Sequence, residues 1–335
     1  MLLRLIKTNR KAGSFLFALL ILGICLIQVK WPHSFPFIEG EENYVFFGLI
    51  YQLLKDHLLL SAIVVSLLLL INGLVLFRIY RKYLFPSSWS MLPGILFVLL
   101  TAGMPEYETL HPVWFAMVFF IFGIDRIFLS FDIRKPYNNI FIAGFFLSLG
   151  SLFYFNLLLI LPAFIMGGRI MARDAGWREP FLVFLGSLVP WIFVFSIYFL
   201  LDNTAGLVQG IDLNFLTPKE NILKNVPALV FLGILGLLTI AGSFTILKQY
   251  AEEKVKFRRF FLFFFLLFIS AVLSFLLVPA VSFEIFILAA VPVTFLLSNY
   301  FESFQRFRFV EIVFALIIGF VIFLQLYFNG QNIIN

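Results

Sequence analysis

Eleven long apolar stretches run along this chain, and the short turns between them carry most of its charge. The stretches lie near residues 14–30, 58–77, 88–103, 112–131, 138–153, 155–171, 180–201, 226–247, 260–278, 284–299 and 309–328. A hydrocarbon core about 30 Å thick takes roughly 20 helical residues, or fewer where neighbours shield the ends, so each stretch predicts a crossing helix. Residues 138–171 could be taken for one segment, but a helix of that length would measure about 51 Å, too long for a single crossing. Tyr154, Phe155 and Asn156 mark the break, which gives two short helices.

The pattern changes at 43–57. Val45, Phe46, Leu49, Ile50, Leu53 and Leu54 recur at helical spacing in a segment too short and too polar at its end to cross. This predicts an amphipathic helix lying flat on the membrane interface. The fold class expected is therefore all-α: a single-domain polytopic bundle of about eleven spans with one interfacial helix.

Charge sets the expected orientation. With the N-terminus in the cytoplasm, all but four of the 24 Lys and Arg residues fall on inner turns, the exceptions being Lys30, Lys55, Lys219 and Lys224. Such a bias orients a membrane protein, and it predicts a periplasmic C-terminus in a bacterial inner membrane. Merging the 138–171 pair would flip every later turn and put Arg169, Arg173 and Arg178 outside. The first stretch ends in Gln28, Lys30 and Trp31 without a small-residue cleavage site, so it reads as an uncleaved span.

Composition sharpens the membrane reading. The chain has 335 residues, 62% of them hydrophobic and 13% charged, with 48 Phe; its mean hydropathy is +1.04. Phe fills space between helices in lipid without adding a polar atom. The net charge of +6 does not point to nucleic acid, because the basic residues sit in the turns rather than on one face. Membrane lipids are the expected partners. Cys25, inside the first span, excludes a disulfide and reads as a small hydrophobe.

Candidate chemistry is sparse. Phosphate loops, paired histidine ligands and nucleophile elbows are all missing from the sequence. His33, His57 and His111 read as solvated outer residues, with convergence on a metal as the alternative. Two acidic clusters stand out on the expected outer side: Glu39, Glu41 and Glu42 after the first span, and Glu106 and Glu108 after the third. A carboxylate beside a membrane can act as general base for a sugar hydroxyl, or hold a divalent metal against a phosphate leaving group; the plain alternative is a solvated acidic loop. Asp125 and Arg126, near the inner end of the fourth stretch, read as a paired anchor. Glu284, at the outer start of the tenth, reads as a helix-dipole partner.

The order of parts carries a resemblance. A short first span, an acidic outer loop and a surface helix at 43–57 come first. They are followed by an Arg-rich turn, Arg78-Ile-Tyr-Arg81-Lys82, an outer Pro-Glu loop at 104–112, and GFFLSLGSLFYFNLLLILPAFIMGGRI at 144–170. This layout resembles the membrane module of the GT-C glycosyltransferases, which draw sugars from polyprenyl-phosphate carriers. It covers residues 14–200 and leaves 201–335 as a C-terminal span bundle. The chain is also similar to an uncharacterised family of multi-pass inner-membrane proteins from Bacteroidota.

Carried over to this sequence, the GT-C resemblance implies a catalytic carboxylate at Glu41 or Glu42, with a second acidic position at Glu106 or Glu108 that assists or binds a divalent metal. Two departures stand against it: Glu where Asp is usual, and a short outer loop at 202–224. A non-catalytic membrane subunit that packs against other membrane proteins, or a transporter of lipid or another small molecule, therefore remains as an alternative.

Overall fold

The computed structural model describes residues 3, 6, 9–30, 44–84, 90–104, 109–174, 176–216, 226–249, 255–279, 281, 283–303 and 307–334. It is 86% helical, with no strand among the described residues. In chain order the helices are α1 (Arg10–Lys30), α2 (Phe47–Leu54), α3 (Leu58–Ile79), α4 (Leu92–Ala102) and α5 (Pro112–Leu129). Then come α6 (Tyr137–Ser151), a 3-10 turn (Phe155–Ile160), α7 (Leu161–Met171), α8 (Arg178–Leu200) and α9 (Thr204–Leu216). The last four are α10 (Val226–Gln249), α11 (Val255–Leu277), α12 (Ile285–Ser303) and α13 (Phe307–Ile334).

Each expected stretch contains a helix, and the break falls where Tyr154 stands. Among the described residues, seven helices are long and apolar enough to cross a membrane, and the chain is an integral membrane protein. Others, such as α4, α6 and α7, are shorter. α4 has only 11 residues, about 16 Å of helix. α9 occupies a stretch expected to be an outer loop; its mixed sequence, TAGLVQGIDLNFL, shows no clear period.

Burial explains how so short a helix is tolerated. Every residue of α4 from Leu92 to Ala102 is buried. A helix that is apolar all round belongs in an interior. α12 packs beside it, its membrane-length window 89% buried, against 22% for α1 and 28% for α8. Around this central pair the aromatic residues interlock. Phe128 stacks on Phe260 at 4.2 Å between ring centroids, and Phe264 on Phe295 at 4.3 Å, tying α5, α11 and α12 together.

α6 and α8 meet differently. A Cβ on Gly144 would collide with the carbonyl oxygen of Val183, and one on Gly186 with the carbonyl oxygen of Phe141. The two backbones touch directly, as small residues permit between membrane helices. This seam holds the helix that ends at the break.

A buried tyrosine–carboxylate site at the helix break

The break is built by a chain reversal of hydrogen-bond pattern. After Ser151 the backbone leaves α geometry: Phe153 and Tyr154 N–H groups both donate to the Gly150 carbonyl, at 3.0 and 3.1 Å. Tyr154 is extended (φ −135°, ψ 101°), and its carbonyl starts the 3-10 turn by accepting from Leu157 N–H at 3.1 Å. An extended residue between two helices throws its side chain sideways into the bundle. The Tyr154 ring is wholly buried, and its hydroxyl donates to Glu284 Oε1 at 3.2 Å.

Glu284 immediately precedes α12 and is 1% exposed. Its role exceeds the dipole partner expected from sequence, because a carboxylate this deeply buried needs hydrogen-bond donors. Its partner stands 130 positions away in sequence, a separation no local pattern reveals. Two more polar residues share this end of the bundle. Asn156 is fully buried with neither side-chain polar atom hydrogen-bonded, and it follows Tyr154 by two positions.

The other is His111, expected to be solvated but completely buried. It caps α5: its Nδ1 accepts from Val113 N–H at 3.1 Å, and Pro112, lacking an N–H, fits the first helical position. An accepting Nδ1 puts the ring proton of the neutral imidazole on Nε2. The His-Pro pair was the available signal, since a capping residue must face its own helix rather than water.

Glu41, Glu42, Glu106 and Glu108, together with Glu39, lie outside the described residues, as does His33. Their described neighbours converge. Tyr44 follows the first acidic cluster and packs edge-on against Tyr154 at 6.3 Å; His111 follows the second and packs on the same ring at 6.0 Å. Phe46 N–H also donates to the Leu152 carbonyl at 3.3 Å, fastening the start of α2 to the break. Trp191 of α8 adds a hydrogen bond from Nε1 to Ser151 Oγ at 2.9 Å. Among the described residues, no three His, Cys, Asp or Glu lie close enough together to hold a metal ion.

An apolar cavity of about 210 Å³ lies among α4, α10, α11 and α12. Leu100, Met104, Leu235, Phe268 and Phe286 line it, with Thr239 as its polar residue. That hydroxyl is already engaged, donating to the Leu235 carbonyl at 2.7 Å. The volume exceeds the ~150 Å³ of a dry cavity that accepts benzene, so a hydrocarbon segment fits. Phe286 stands two positions after Glu284, and Met104 two before Glu106, so the cavity is close in sequence to the polar cluster.

A second tyrosine–carboxylate pair lies at the other end of α5. Asp125 is 14 positions from His111, about 21 Å along the helix. Tyr83 donates its hydroxyl to Asp125 Oδ1 at 2.9 Å, and Lys82 reaches the same oxygen at 3.2 Å. Asp125 is thus paired, but with Lys82 and Tyr83 rather than with the adjacent Arg126 expected from sequence.

No curated protein and no solved structure matches this chain. The model of a family of unknown function, DUF6427, covers residues 43–334, from just before the Tyr44 contact to the end of α13, and the chain belongs to that family.

Proposed function

We propose that this protein is a multi-pass inner-membrane enzyme that transfers a sugar from a polyprenyl-phosphate carrier at the outer leaflet. The N-terminus would be cytoplasmic, the C-terminus periplasmic, and the Tyr154 end would face outward. One observation carries the reading: Tyr44, two positions after Glu42, and His111, three after Glu108, pack on the same buried ring, Tyr154. A hydrocarbon-sized cavity lined by Phe286, two positions after Glu284, supports it, because a carrier needs an apolar berth for its chain.

In this scheme Glu41 or Glu42 takes the proton from an acceptor hydroxyl as its oxygen attacks the anomeric carbon. The bond from that carbon to the phosphate oxygen breaks, and polyprenyl phosphate leaves with the electron pair. Glu106 or Glu108 assists, or holds a divalent cation against the departing phosphate. Tyr154, Glu284 and His111 position the two segments. The interfacial helix at 43–57 lies beside the entrance, at headgroup depth.

The test is turnover of a polyprenyl-phosphate-linked sugar by the purified protein. Changing Glu41 and Glu42 to Gln, and separately Glu106 and Glu108, is expected to abolish transfer while leaving the fold intact. Unchanged turnover in both variants sinks the assignment and favours the non-catalytic subunit, whose partners gentle extraction and mass spectrometry would then identify.

A further inference from the structure

The end of α3 departs from α geometry. Residues Tyr80–Leu84 form a single π-turn, a feature that recurs at functional positions in helices. The turn buries Tyr80, Tyr83 and Leu84 but leaves Lys82 at the surface. Two ammonium groups then approach the Tyr83 ring: Lys82 Nζ lies 4.5 Å from its centroid, and Lys256 Nζ, from the start of α11, lies 5.7 Å away. Lys256 also sits 5.5 Å from the Phe260 ring, which itself packs on Tyr83.

The two lysines differ in counter-charge. Lys82 has Asp125 at 3.2 Å. Among the described residues, no carboxylate pairs with Lys256, nor with Arg78 or Arg126, both of which act electrostatically on Tyr83. Among the described residues, Asp125 is thus the carboxylate paired within this group of four cations around the buried Tyr83 ring. Lys256 and Arg126 are partly buried, whereas Arg78 and Lys82 are exposed; a partly desolvated cation gains from a bound anion.

We infer that this bracket, Lys256 with Arg78, Lys82 and Arg126 around Tyr83, binds a phosphate group. Its position argues for a phospholipid headgroup. Tyr83 is the second-last residue of the membrane-length helix Leu58–Leu84, and Lys256 is the second residue of Val255–Leu277, so the ammonium groups stand where the apolar segments end. This site lies at the opposite end of α5 from the Tyr154 cluster and is independent of the sugar-transfer reading.

The experiment is native mass spectrometry of the detergent-solubilised full chain, titrated with dioleoylphosphatidylglycerol and, in parallel, dioleoylphosphatidylcholine. Phosphatidylglycerol is expected to bind the wild type in preference to the choline lipid. Lys256→Gln should raise its half-saturation concentration about tenfold, more than the roughly fivefold that one interfacial cation is worth. Lys135→Gln, an exposed cation in the turn after α5, should change it by less than about twofold. Asp125→Asn should tighten binding by freeing Lys82, a gain that misfolding cannot produce. Displacement by excess inorganic phosphate would assign the bracket to soluble phosphates, and resistance to it would assign the lipid; both outcomes support a phosphate site. Equal losses in the Lys256 and Lys135 variants, or weaker binding by Asp125→Asn, would overturn it.

Discussion

Two tyrosines donate to two carboxylates near opposite ends of α5, and their surroundings could hardly differ more. At one end Tyr83 and Asp125 are joined by Lys82, so the negative charge is matched and the group stays partly solvated. At the other, Tyr154 and Glu284 are both buried, beside a buried histidine and an asparagine with no hydrogen bond. The matched pair explains itself as an anchor for the end of α3. The buried one does not, because stability alone is better served by apolar packing than by burying this much polarity. The contrast teaches which cluster is set apart by buried polarity, and it is the end on which the proposed transfer rests.

Four substitutions break or sharpen that contrast. Gly144→Leu should be the most damaging: with the Val183 backbone in the way it forces α6 off α8, at about 3 kcal/mol or more. Thermal unfolding in detergent would show the loss, and cysteine labelling should find residue 154 exposed while the Tyr83 end stays protected. Tyr154→Phe leaves a buried carboxylate short of a donor and should cost about 2 kcal/mol by the same unfolding measurement. Tyr83→Phe removes the same hydroxyl from a carboxylate that keeps Lys82, so under about 1 kcal/mol is expected. Lys82→Gln should cost least, about 0.5 kcal/mol, since that ion pair is 39% exposed on the lysine side and screened by water. Equal losses for the two tyrosine variants would erase the distinction drawn between the clusters.

Much of the architecture was readable from the chain because lipid imposes a simple rule, apolar where it spans and charged where it stops. Length required a break, since a straight helix from 138 to 171 is too long for one crossing, and Tyr154, Phe155 and Asn156 placed it. α9 was missed because Gln209, Asp212 and Asn214 interrupt any apolar period. The site was harder. Glu284 looked like a terminal carboxylate because its hydroxyl partner lies on a different helix pair. His111 looked like a loop residue because capping depends on backbone angles, not composition. The four glutamates were chosen for their side of the membrane, and only their neighbours, Tyr44 and His111, can now be set in three dimensions.

The glycine seam between α6 and α8 has a consequence for how the break can vary over time. Where main chain rests on main chain there are no rotamers to exchange, so thermal motion and drifting lipid-facing residues have little purchase on it. Tyr154 hangs from the end of that seam, and its depth in the bundle is set by covalent geometry. Lipid-facing side chains can be exchanged; the Tyr154 ring, packed by Tyr44 and His111, stays at its level.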